Sequence, residues 1–193
     1  PSWRSRMSLI PFGFWAASGG GAAGAFDLLE TTTLTTGAAP FTITGLDGYA
    51  DYKHLQIRAL LRTNLPGATD SALVNFNDSS GSETQHSLTG NGSSVSSAEN
   101  NGYYTLRSVI PGNTATAGNF AAVVIDFADY NNTSKNTTIR ALSGFADGSN
   151  NQVGLFSGAW LSTANITEMS FRSGFGYEFV TGCRVSIFGI KGA

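Results

Sequence analysis

The sequence predicts an all-β protein, a jelly-roll-like β-sandwich behind an extended N-terminal arm. Three observations carry that expectation. From residue 28 onward, short runs with period-two alternation of apolar and polar residues are separated by turn-rich breaks. No stretch keeps a 3.6-residue apolar period for three turns, which leaves little room for helix. Charged residues make up only 12% of the chain, about half the usual share of a soluble domain. Its polar surface must therefore come from Ser, Thr, Asn and Gly, a balance common among β-rich exterior proteins.

The expected strands follow in order. Residues 29–35 are rich in Thr, which favours the pleated backbone, and 41–44 follow after Gly37 and Pro40. Residues 54–62 alternate most clearly, with Leu55, Ile57, Ala59 and Leu61 expected inward and Gln56, Arg58 and Arg62 expected outward or at an interface. Then come 72–77, a weaker candidate near Ser87-Leu88, and 103–110. The second half adds 120–127, 138–143, 153–161, 166–173 and 184–190, for about ten strands in all, near the number of a double-sheet jelly roll. Asn91-Gly92, Asn101-Gly102, Pro111-Gly112 and Asp147-Gly148 supply turn chemistry at the breaks. Residues 77–102, mostly Ser, Gly and Asn, read as one long loop, a solvated excursion or a functional segment.

A chain of 193 residues suits one domain with an extension, here an arm over 1–26 and a sandwich over 27–193. The arm holds the apolar run Leu9-Ile10-Pro11-Phe12-Gly13-Phe14-Trp15 and then a glycine-rich tether through Gly24. It mimics a secretory signal, with Arg4 and Arg6 ahead of the apolar run, but Pro11 and Gly13 break the helix such a signal forms. The run is also too short and interrupted to span a bilayer. Pro1 fits a mature start after removal of an initiator Met. Aromatics exposed on a glycine tether would invite aggregation. Leu9, Ile10, Phe12, Phe14 and Trp15 are therefore expected to form an assembly interface on a partner subunit, with packing back onto the parent domain as the alternative.

A net charge of −2, with eleven cations spread along the chain, gives no electrostatic footprint for nucleic acid or an anionic membrane. Cys183 is the only cysteine, so no intrachain disulfide forms, and its place at the start of a strand suits a small buried residue. No catalytic, cofactor or metal site is expected. Among the acids, Asp126 and Asp129 in Ile-Asp-Phe-Ala-Asp form the best local pair. They could join loop carbonyls around Ca²⁺, but capping of the following turn is the stronger reading. His54 has no second His or Cys at ligand spacing. Residues 18–24 lack the Lys-Ser/Thr and helix of a phosphate loop. The sequons at Asn77, Asn91, Asn131, Asn132, Asn136 and Asn165 are expected by chance in so Asn-, Ser- and Thr-rich a chain. Tyr103, Tyr104, Tyr130 and Trp160 could stack on sugar rings, although Trp160 alternates with Phe156 as a core residue would.

Three stretches carry a family resemblance. Met7-Ser8-Leu9-Ile10-Pro11-Phe12-Gly13-Phe14-Trp15-Ala16-Ala17-Ser18-Gly19 with Phe26-Asp27-Leu28-Leu29-Glu30-Thr31 resembles the start of small virion proteins of tailed phages, especially marine and cyanobacterial ones. Tyr52-Lys53-His54-Leu55-Gln56-Ile57-Arg58 resembles their first core strand. Val180-Thr181-Gly182-Cys183-Arg184-Val185-Ser186-Ile187-Phe188-Gly189-Ile190-Lys191-Gly192 resembles their closing signature, with Cys183 in place of a small residue such as Ser. The likeness covers nearly the whole chain apart from 77–102 and brings no catalytic residues with it. It implies a non-enzymatic virion protein, a capsid decoration or cement protein whose partners are the major capsid protein and itself, as a homotrimer. The alternative is a tail or fibre module that binds host glycan.

Overall fold

The computed structural model describes residues 26–79 and 81–192. Among the described residues twelve strands form, all but β6 overlapping runs marked in the sequence: β1 Phe26–Thr33, β2 Phe41–Thr44, β3 His54–Leu61, β4 Thr69–Phe76, β5 Glu83–Gly90, β6 Val95–Asn101, β7 Tyr104–Pro111, β8 Ala121–Ala128, β9 Thr137–Ala146, β10 Asn151–Trp160, β11 Glu168–Ser173 and β12 Arg184–Ile190. One 3₁₀ turn, Leu46–Tyr49, is the sole helical element among the described residues. The strands make two antiparallel sheets, eight strands ordered β1-β12-β3-β8-β9-β10-β5-β6 and four ordered β2-β11-β4-β7. The protein is an all-β sandwich with sheets of unequal width.

Period-two patterning decides which side chains meet between the sheets. On β3, Leu55, Ile57, Ala59 and Leu61 are buried as expected and Arg58 is exposed. Full burial of a Leu or Ile side chain stabilises by about 1.5–3 kcal/mol, so this one strand face supplies several kcal/mol of gross driving force. Opposite it, the small sheet sends in Val74, Phe76, Met169 and Phe171. Phe76 locks the layers together, edge-on to Phe127 of β8 at 5.5 Å and tilted against Trp160 of β10 at 5.8 Å between ring centres.

Two expectations are corrected. Residues 77–102 are not a loop: most of them form the β5–β6 hairpin at one edge of the large sheet. Its turn is built on Asn91, whose Oδ1 accepts the Ser93 and Ser94 N–H groups, and on Gly92 at φ 89°. Gln85 ties the hairpin to the small sheet, since its Nε2 donates to the Thr105 carbonyl at 2.8 Å and its Oε1 accepts the Thr105 N–H. Arg62, expected to face outward, is buried at 7% exposure just past the end of β3. The alternation stops with the strand, and the guanidinium turns under the β7–β8 loop. There its Nη1 donates to the Thr116 and Asn119 carbonyls and its Nη2 to those of Ala115 and Asn113, at 2.8–3.3 Å.

Candidate docking surface

The expected assembly residues Leu9, Ile10, Phe12, Phe14 and Trp15 lie outside the described residues. The structure places the other singled-out side chains in separate local settings. Asp126 sits mid-strand on β8, accepting Gln56 Nε2 at 2.8 Å. Asp129 follows the strand in a left-handed turn at φ 51°. Its carboxylate takes the Lys135 ammonium, and that bond holds its pKa below the ordinary carboxylate value. His54 Nδ1 accepts the Asp129 main-chain N–H at 2.9 Å, which fixes this nitrogen as the unprotonated one in the neutral ring. The expected side-chain cap is corrected here: the Asp129 main-chain carbonyl, not its carboxylate, accepts the Asn132 N–H of the turn at 3.0 Å, and the carboxylate is drawn to Lys135 instead. Among the described residues no three His, Cys, Asp or Glu side chains converge as metal ligands would.

Two of the three tyrosines considered for sugar stacking belong to the core instead. Tyr104 and Tyr130 are fully buried, donating to the Phe156 and Leu46 carbonyls at 3.2 Å each. Burial raises both phenols, that of Tyr130 to about 12. Trp160 and Phe156 pack in the core together, as their alternation predicted. Cys183 is buried as expected. Its sulfur accepts the Arg62 N–H and its thiol donates to the Arg62 carbonyl, both at 3.3 Å, and burial pushes its pKa up. A protonated, enclosed thiol is chemically inert.

The feature that sequence reading missed is the outward face of the large sheet. Strand register sets Val124 of β8 opposite Leu142 of β9, Leu142 opposite Leu155 of β10, and Leu155 opposite Leu88 of β5. A second row runs from Leu60 through Ala122 and Val153 towards Val95 of β6. Leu88, Leu142, Leu155 and Val153 are each 50–54% exposed. With strands about 4.8 Å apart, the second row stretches about 24 Å across six strands. In the first row neighbouring apolar side chains in register form a continuous patch facing water, and in the second Gly144 and Gly90 separate the apolar side chains.

The patch has a charged border. On one side the row Asp126, Arg140, Ser157, His86 and Glu99 crosses the same strands. On another, Arg58 lies over the stacked rings of Phe26 and Phe188, 5.0 and 4.6 Å from their centres. A shallow cavity of about 350 Å³ between Arg58, Leu60, Val124 and Arg184 marks that margin. An apolar field inside a mixed-charge rim has the anatomy of a protein interface. The signal was present in the sequence as Leu155-Phe156 and Ala141-Leu142, adjacent apolar residues that send one side chain to each face of a strand.

No protein-family model and no curated protein matches this chain.

Proposed function

We propose that this protein is a non-enzymatic structural component of a virion, a capsid decoration protein that attaches to the shell and stabilises it. The observation that carries the reading is the row Val124, Leu142, Leu155 and Leu88, apolar, contiguous and turned outward. A monomer in water gains nothing from such a face, whereas a lattice of repeated subunits gains at every copy. The likeness of the chain to small tailed-phage virion proteins supports the same conclusion. In this reading the sheet face and the segment containing Leu9, Ile10, Phe12, Phe14 and Trp15 pack against neighbouring subunits, the major capsid protein and the other members of a homotrimer. The modest net charge leaves nucleic acid and membrane out of the list of partners.

Copy number in purified particles tests the assignment. Hundreds of copies per particle are expected, and a few tens or fewer would place the protein on a tail instead. Deleting residues 1–25 should leave a folded sandwich that no longer attaches to particles. Normal occupancy by the truncated protein would remove the arm from the docking role.

A further inference from the structure

We propose that the groove on the outward face of the four-stranded sheet binds an acidic polysaccharide, a hydroxyl-rich chain of sugar rings that carry carboxylates. This inference does not depend on where the protein assembles, because the groove lies on the side of the sandwich away from the apolar patch.

The groove is built on β4. Ser71, Leu73 and Asn75 point outward there, alternating with the inward Asp70, Ala72, Val74 and Phe76. Two cavities of about 310 and 360 Å³ meet at Leu73, each within the range of small-molecule sites. Tyr103 lines one and Phe175 the other, 44% and 69% exposed. Two accessible aromatic rings flanking an otherwise polar groove suit the apolar faces of sugar rings, which leave their hydroxyls free for hydrogen bonds at the rim.

Beneath the groove, two enclosed polar atoms lack a partner among the described residues. Asn75 is 5% exposed and its Nδ2 donates to the Ser79 carbonyl at 3.2 Å, while its Oδ1 has no partner among the described residues. Beside it in register, Ser170 of β11 is 2% exposed and its hydroxyl also lacks a partner there.

The charge of the groove selects the class of sugar. Arg172 pairs with Asp78 at 2.9 Å, but Arg107 has no carboxylate within 4.0 Å among the described residues. A bulge aims Arg107 at the site. Between the pairs Asp70–Ile110 and Ala72–Leu106, the single residue Ser71 of β4 faces three of β7. Ser108 takes a left-handed φ of 55° and donates its N–H to Ser71 Oγ at 2.9 Å. Irregularities of this kind re-aim side chains at binding sites. One spare guanidinium among hydroxyl and amide groups calls for a carboxylate on the ligand.

Calorimetric titration of the full chain with a galacturonate hexasaccharide tests the proposal, with cellohexaose as the uncharged sugar of equal length and a thymidine oligonucleotide as the competing anion. The galacturonate should bind, and cellohexaose should bind at least about tenfold more weakly. Tyr103→Ala and Arg107→Gln should each weaken galacturonate binding by about tenfold with the thermal midpoint unchanged, while Leu142→Glu on the opposite face leaves it intact. Absence of galacturonate binding, unchanged affinity in both groove variants, or tighter binding of cellohexaose or the oligonucleotide would overturn the proposal. Should either groove variant fold poorly, amide shifts of the unaltered protein decide. Sugar-induced changes at Leu73, Asn75 and Thr105 support the site, and changes confined elsewhere refute it.

Discussion

Arg62 carries a full charge into a setting where main-chain carbonyls, not a carboxylate, receive it. Four carbonyls of the 112–120 loop converge on one planar guanidinium, so that side chain organises the whole connection between β7 and β8. Arg62→Met should therefore cost about 2–4 kcal/mol in urea unfolding, and Arg62→Lys should recover only part of it. Glu83 is the opposite case. It is buried at 1% exposure with Oε1 unpartnered among the described residues, and burial raises its pKa above the ordinary 4.5. The folded state then holds this proton more tightly than the unfolded chain. Stability is lost as pH rises from 4.5 through the raised value, and the penalty is complete above it. Glu83→Gln should match the parent protein near pH 4 and unfold at a higher urea midpoint at pH 8. Asp147 has the reverse sign: the Thr116 and Asn150 N–H groups bring its carboxyl down to about 2 from 3.8. Its stabilisation is present above pH 3.8 and fades as pH falls through about 2, which carboxyl-carbon NMR titration can follow.

Among the elements, β2 and β12 occupy the spans that alternation marked, and the inward face of β3 is the one its leucines and isoleucine announced. These strands are held by burial, and burial is what hydrophobic patterning records. The β5–β6 hairpin escaped because its outer strand buries no side chain fully, and ladder hydrogen bonds and the Asn91 turn hold it in place. Gly92→Ala should therefore cost about 1–2 kcal/mol through its left-handed backbone, with faster hydrogen exchange confined to this hairpin. The outward apolar row on β8, β9, β10 and β5 was written in the sequence but needs the register of four strands before it becomes a surface. Leu155→Glu tests that surface. The monomer should keep its stability within about 0.5 kcal/mol, since the side chain faces water, and attachment to particles should fail.

As a whole molecule the sandwich has two unlike exteriors. The broad sheet offers an apolar field, and the narrow one offers a polar groove with Tyr103 and Phe175 at its rims. The low charge visible in the composition fits both, because neither surface relies on a strong field. A protein seated by the first surface presents the second to its surroundings. The sheet order adds a constraint in time. Strand β12 lies between β1 and β3, and among the described residues β1 has no other partner strand. During synthesis, every other strand of the large sheet leaves the ribosome before the one that joins its margin to its centre. Until Arg184–Ile190 arrives, β1 lacks the strand it pairs with and the β3 flank is an open edge that invites pairing with another nascent chain. A chain stopped at residue 183 should accordingly collect in the insoluble fraction.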